Sequence, residues 1–451
     1  MLLKREDIVQ ISTWLLLLLL GMANYVARAQ NSLSLNDAIE LAIRQNRTLR
    51  ADSLNVVKAE EQIRIMRSIF LPSAGIDVQL LHYFKRPAFF GFGEATSADK
   101  IPYTRLGGEQ QGLAQASLRQ SVYTPGASAG LQKSKLLYDQ SKLGYNYREI
   151  DVVAEVKRVY LRILVLEKRL ALQNESILRN KKALDDSRSL LAQGRALRVD
   201  TLRAYTSVKN LEPEILRLEY AIKISKQQLN VLTGSEIKRN LLLKDSLSLK
   251  EAAVVPVEDE VVNAALNKRP DIKILSLNKW VADKDIAIAK SAWLPSVNLL
   301  SQFQLPTQSN NFKLANASYP PVFFVGAQLS IPIFSGFAKQ ARVRQAQAER
   351  KQAELNFLNA TEELKTEVKQ VLASIDETSK RLKTQQSVAD VAETSYSITG
   401  YRYTRGIASR LELIDAELAL TTAKANYLEA IYDYQAARIE LDRVSASSSI
   451  P

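Results

Sequence analysis

The sequence predicts a mainly helical fold built twice over, in which each half carries two strands of membrane-spanning length beside a pair of very long helices. Three observations carry this. First, one stretch occurs twice: Ala42-Ile43-Arg44-Gln45-Asn46-Arg47-Thr48-Leu49 matches Ala265-Leu266-Asn267-Lys268-Arg269-Pro270-Asp271-Ile272 at an offset of 223 residues. No gap is needed up to Phe70-Leu71-Pro72-Ser73-Ala74 and Trp293-Leu294-Pro295-Ser296-Val297, and Ala59 falls on Ala282, Ile63 on Ile286, Ile65 on Ile288. Second, a helical rhythm stops at Leu-Pro in both copies and an alternating pattern follows. Proline lacks an N–H and disfavours the α conformation in the residue before it, so Pro72 and Pro295 each mark a helix-to-strand switch. Third, residues 127–191 and 337–404 contain no proline.

In the first half, 35–45 reads as a short helix with Ser34 as its N-cap. A second helix covers 48–69, with Leu54, Val57, Ile63 and Ile65 among its apolar positions, and Pro72 stops it. Ile76, Val78 and Leu80 then alternate with Asp77 and Gln79. That strand covers 74–84, which suits a tilted membrane strand of about 9–11 residues. Residues 85–112 are rich in Gly, Pro and Phe and read as a loop; Phe89, Phe90 and Phe92 either pack that loop or fold over a barrel mouth. A second strand has Ala114, Ala116, Leu118 and Val122 opposite Gln115, Ser117, Arg119 and Ser121, and Pro125-Gly126 ends it.

The helix over 127–191 would be about 98 Å long at 1.5 Å per residue, far beyond the usual helix of about 11–12 residues. Ile150, Val153, Val156, Tyr160 and Leu164 recur at spacings of three and four, as in coiled coils. Gly194 breaks the pattern. A partner helix returns over 198–232 to Gly234, with Pro213 inside it, which should kink or loosen one turn.

Residues 235–256 read as a linker, and then the order repeats. Short and longer helices cover 257–267 and 271–292. One strand has Val297, Leu299 and Phe303 opposite Asn298, Leu300, Gln302 and Gln304; after a loop over 306–320, another has Phe323, Val325, Ala327, Leu329 and Ile331 on one face. Here Leu118 matches Leu329 and Val122 matches Ile333, at offset 211, so the first loop is 12 residues longer. Length differences between repeats belong in loops. The 68 residues of 337–404 form a second helix of about 100 Å. Gly406 matches Gly194, and the returning helix over 409–444 carries Leu411, Ile414, Leu418, Ala425, Leu428, Tyr432 and Ile439 at coiled-coil spacings.

Residues 1–29 have the pattern of an export signal: Lys4 and Arg5, the apolar run Trp14 with Leu15 to Leu20, and the cleavage pattern Ala27-Arg28-Ala29, so that Gln30 opens the mature chain. The alternative, a membrane anchor, meets a run shorter than the ~20 residues a span requires. The 451 residues hold no cysteine, which excludes disulfides, thiol catalysis and a lipidated cysteine. The formal charge is +13, but acids and bases interleave along the helical segments. That suits a solvated surface better than a nucleic-acid patch.

Four strands cannot close a barrel, and an open strand edge is not tolerated in lipid. Such a chain would therefore supply part of a barrel made by several copies, and three copies would give twelve strands. The competing class is an exported structural coiled-coil protein with two small hairpins and no channel. An enzyme is disfavoured: His82, the single histidine, lies inside a strand pattern, and no Ser-His-Asp set, phosphate loop or metal-ligand spacing is present.

The doubled order of elements resembles the outer membrane efflux protein family, the TolC-like channel-tunnels, over about residues 33–445. The residues that carry the resemblance are the doubled stretch above, without its proline in the first copy, the two Leu-Pro stops, and Tyr403-Thr404-Arg405-Gly406-Ile407-Ala408-Ser409-Arg410-Leu411-Glu412-Leu413-Ile414-Asp415-Ala416. The resemblance implies a homotrimer with a twelve-stranded outer membrane β-barrel continuous with a periplasmic helical tunnel of coiled-coil hairpins. It implies partnership with a periplasmic adaptor (membrane fusion protein) and an inner-membrane transporter, in efflux or type I secretion, with no cofactor. The repeats would be 30–234 and 257–445, joined by 235–256 and followed by a tail, 446–451.

By the same resemblance, the turns at Gly194 and Gly406 form the periplasmic entrance. Glu412 and Asp415, three apart on one helix face, would give two acidic rings in the trimer. Asp200 and Tyr403 are the matching positions for a polar link between hairpins. Where relatives have an arginine this chain has Ala408, with Arg405 and Arg410 flanking it.

Overall fold

The computed structural model describes residues 32–91, 101–235, 242–247, 256–311 and 317–446. The signal at 1–29, Phe92, most of the 235–256 linker and nearly all of the tail lie outside the described residues. In chain order the elements of the first half are β1 (Ser32–Leu33), α1 (Leu35–Gln45), α2 (Arg47–Ser68), β2 (Ser73–His82), β3 (Ala88–Phe90), β4 (Tyr103–Arg105), β5 (Gln110–Tyr123), α3 (Ala127–Ala192) and α4 (Arg198–Thr233). The remainder of the chain adds β6 (Leu242–Leu243), α5 (Glu258–Lys268), α6 (Pro270–Ser291), β7 (Ser296–Ser309), β8 (Val322–Ser330), α7 (Ala338–Thr404) and α8 (Arg410–Val444).

The helical expectations hold within one or two residues at each end. The long helices α3 and α7 run unbroken for 66 and 67 residues. The helix α4 continues through Pro213. Helices α2 and α6 end four residues before Pro72 and Pro295, and β2 and β7 begin one residue after them.

Three loop expectations are corrected. Residues 85–112 contain the short antiparallel pair β3–β4, and β5 already begins at Gln110. Strand β7 extends to Ser309 through Pro306. Its pairing with β8 stops at Gln304, so among the described residues one edge of β7 is unpaired there, and a residue without an N–H is tolerated on such an edge. The linker contributes β6, which pairs in parallel with β1.

The chain divides into two compact units, each drawn from both repeats. The first holds residues up to 52, 145–270 and from 360 on. Its core packs Ala38, Ile39, Ala42 and Leu49 against Val152, Val153, Val156, Val159, Tyr160 and Ile163 of α3 and Leu229 of α4. The expected seam of α3 is thus the buried one. Ser34 caps α1 reciprocally with Asp37. Asn46 caps α2 by accepting from the Thr48 and Leu49 amides at 2.9 and 3.0 Å, and its amide donates to Leu232 O at 2.8 Å. Gly234 closes α4 at φ 69°, and a side chain there would also collide with the backbone of Gln45.

The repeats diverge at the position equivalent to Asn46. Arg269 is buried and paired with Glu367, which also receives Arg443 at 2.6 Å. Arg443 further reaches Glu440 at 2.7 Å and Asp151 at 3.6 Å. A buried guanidinium needs such partners to offset its lost hydration. These carboxylates hold the Arg443 pKa above its ordinary value, although burial acts the other way.

The second unit holds residues 53–144 and 271–359. Its centre is one antiparallel sheet in the order β2-β5-β7-β8. The register aligns Ile76, Ala116, Phe303 and Phe323 across all four strands. One face is therefore apolar, with Ile76 79% exposed. The opposite face carries Asp77, Gln115, Ser117, Gln302 and Gln304, and Gln302 donates to Gln115 at 2.8 Å. Lys133 pairs with Asp285 at 2.6 Å, linking α3 to α6 inside this unit. No helix among the described residues is long and apolar enough to cross a membrane.

Candidate functional site at the hairpin turns

Both long hairpins turn in the same way. At the end of α3 the amide of Gly194 donates to Leu191 O at 2.9 Å and that of Arg195 to Leu190 O at 2.8 Å. At the end of α7 Gly406 donates to Tyr403 O and Ile407 to Arg402 O, both at 2.9 Å. This paired pattern is a Schellman closure, and it needs a left-handed residue at its centre. Gly194 and Gly406 supply it at φ 71° and 73°. The turn chemistry is thus duplicated along with the elements.

The first turns of the returning helices, by contrast, differ between the repeats. Leu197 and Ser409 are equivalent N-cap positions, and Asp200 and Glu412 are the equivalent acids three residues later. Leu197 offers no side-chain cap to α4. Ser409 forms a capping box with Glu412: Glu412 N–H donates to Ser409 Oγ at 3.2 Å, and Ser409 N–H donates to Glu412 Oε1 at 3.0 Å. Arg402 of α7 lies 3.8 Å from the same carboxylate. The Ser409 amide, then its hydroxyl and more distantly Arg402 hold the Glu412 pKa below the usual glutamate value.

Asp415, one turn further, is exposed and has no side-chain partner among the described residues. Asp200 is half-buried and also has none. Tyr403 is half-buried with the Arg410 guanidinium 5.6 Å over its ring. Arg405 lies 4.9 Å from the Tyr401 ring. Within the single chain Asp200 and Tyr403 are not hydrogen-bonded. Ala408 is buried in the turn.

A second polar centre was not visible in the sequence. Glu417 of α8 is buried and accepts from Arg179 Nε at 2.8 Å and Ser176 Oγ at 3.1 Å, with the Asn180 amide at 3.4 Å, all on α3. Arg179 also lies 5.8 Å from the Tyr396 ring of α7. Burial, and then the charge of Glu417, raise the Tyr396 pKa. The knot ties three helices from the two repeats. Its only sequence signal is a glutamate in the buried stripe of α8, three and four residues before Leu420 and Thr421.

The fold and turns define a class: a duplicated chain that joins an open membrane-type sheet to long helical hairpins. The model of the family described as "Outer membrane efflux protein" matches residues 38–235 and 261–447. The chain belongs to the outer membrane efflux protein family. It is similar to outer membrane protein OprJ of Pseudomonas aeruginosa, at 23% identity over 90% of this chain and 82% of that one. Nodulation protein T of Rhizobium leguminosarum bv. trifolii is 22% identical over 75% of each chain. The CmeC outer membrane channel of Campylobacter jejuni superposes with a TM-score of 0.76 at 16% identity, covering 91% of this chain and 85% of that one. The protein is placed in the outer membrane as the channel component of efflux, with its helices forming the periplasmic part.

Proposed function

We propose that three copies of this chain close a twelve-stranded barrel and carry substrates from an inner-membrane transporter, through a periplasmic adaptor, to the exterior. One observation carries the reading: the four-stranded sheet has one continuous apolar face, and its edge strands β2 and β8 each have an unpaired edge among the described residues. In lipid those edge groups must be paired, and closure against identical copies achieves this. The chain is read as two repeats, 30–234 and 257–445, joined by 235–256, with a cleaved leader before them and a short tail after. It acts as a conduit and not as an enzyme, and passage through a pore asks for no cofactor. The detergent-extracted protein should have the solution mass of three chains; a water-soluble monomer or dimer would remove the barrel and leave the coiled-coil reading.

Helices α2, α3, α6 and α7 all join the strands at one end of the sheet, so the β3–β4 end is taken to face outward; by the family resemblance the Gly194 and Gly406 turns face the periplasm. There Glu412 and Asp415 supply six carboxylates around the trimer axis, a ring that favours cations and disfavours anions. Asp200 and Tyr403 pin neighbouring hairpins across the closed entrance. Replacing either, as Asp200→Ala or Tyr403→Phe, should raise single-channel conductance; unchanged conductance in both variants would refute the link.

A further inference from the structure

At the end of the sheet away from the helices, β2 and β5 are bridged by the β3–β4 hairpin, in which Ala88 faces Arg105 and Phe90 faces Tyr103. Lys85, Arg86 and Arg105 give it three cations. Among the described residues of 83–109 the acidic side chain is Glu109, next to β5, and it pairs with none of these cations. Residues 92–100, outside the described set, add Glu94, Asp99 and Lys100, so the whole segment 83–109 has four cations against three acids.

Both guanidiniums are held at the hairpin base by backbone oxygens. Arg86 Nη1 donates to Gly107 O at 3.2 Å, and Arg105 Nη1 donates to Arg86 O at 3.1 Å. Each bond uses one of the five donors of an arginine, and neither arginine has a carboxylate partner among the described residues. Lys85 is exposed and makes no hydrogen bond or ion pair there. Beside these cations stand bare aromatic rings: Phe84 is 92% exposed and Phe90 66%. Phe90 touches the Tyr103 ring at 5.9 Å, and Arg105 lies 5.9 Å from that same ring.

Exposed rings beside unpaired cations suit a boundary between hydrocarbon and charged headgroups. Position along the chain agrees. The apolar face of β2 ends at Leu80, and Lys85 and Arg86 come five and six residues later. At about 3.3 Å per residue along a tilted strand, that carries them beyond the hydrocarbon to headgroup level.

We infer that the β3–β4 hairpin binds the phosphorylated headgroups of outer-leaflet lipids. The planar arginine forks engage phosphate oxygens, Lys85 adds a point charge, and the rings settle at the top of the acyl chains. This rests on the outward orientation of the hairpin proposed above.

The test uses the full chain in nanodiscs of neutral phospholipid, with diphosphorylated lipid A and its dephosphorylated form as probes in native mass spectrometry. The diphosphorylated form should bind about tenfold more tightly. Lys85→Glu breaks no bond in the fold and should remove most of that preference. Arg105→Lys keeps the charge but loses the fork and should weaken binding about threefold. Equal binding of both lipids, or a preference untouched by Lys85→Glu, would overturn the inference. So would a Lys85→Glu variant whose only change is in conductance, since that places the hairpin over the channel mouth. Orientation is tested apart, by labelling Ala88→Cys on intact cells with a membrane-impermeant thiol reagent. Labelling without a phosphate preference defeats the lipid inference alone; absent labelling defeats the orientation itself.

Discussion

The two acids of the proposed entrance, Glu412 and Asp415, lie three apart on one helix, yet they are chemically unlike. The Glu412 carboxylate is engaged by the first turn of its own helix, while that of Asp415 has no partner among the described residues. Asp415→Asn should therefore reduce the cation preference of the reconstituted channel by about twofold or more, and Glu412→Gln by less. Reversal potentials across a salt gradient measure this, and equal effects would show that the cap does not hold the charge. Glu412 instead has a stability role with a defined pH sign. Its folded pKa lies below the ordinary glutamate value. The stabilisation is therefore present above that ordinary value and is lost as pH falls through the lowered one. Amide exchange at Ser409 and Leu413 should show the first turn of α8 opening under those acidic conditions and not near neutrality. The turns themselves were legible, because a glycine ending a helical pattern has few other uses. The Glu417 knot was not, since Arg179 lies 238 residues away in sequence and only the packing of α3 on α8 brings the two together.

At the level of elements, prolines and periods were enough to place α2, α6, the long helices and the alternation of every long strand. The seam of α8 was placed only in part: Ile414, Ala425, Leu428, Tyr432 and Ile439 are half-buried. Leu411 and Leu418 were expected in it but are exposed, Leu418 by 66%, while Glu417, Leu420, Thr421, Ala430, Ile431 and Tyr434 are buried. This helix carries apolar residues on more than one face, and its most buried stripe is rich in small and polar residues, so spacing alone does not single that stripe out. The hairpin β3–β4 was missed because three-residue strands in a Gly/Pro-rich segment have no period to detect. The sheet gives the sharpest contrast between its faces. Val78→Lys puts a charge on the apolar face, at a cost of about 2–4 kcal/mol near the bilayer centre. The neighbouring Gln79→Lys puts the same charge on the polar face and should leave assembly nearly unchanged. Trimer recovered from outer membranes distinguishes them, and equal yields would contradict the assignment of faces.

For the whole molecule, the proposed trimer makes each chain's sheet incomplete by itself: β2 and β8 end in unpaired edges that only another copy can satisfy. This has a genetic consequence. A variant that folds its helices normally but damages an edge strand still enters assemblies and spoils them for its partners. With equal amounts of normal and damaged chain and random mixing, about one trimer in eight would contain three normal copies. Co-expression should then lower export capacity well below half, whereas a variant that never folds should cost no more than its own share. Inheritance of such edge alleles would be dominant, and their severity would be set by how readily the defective chain is admitted to the ring.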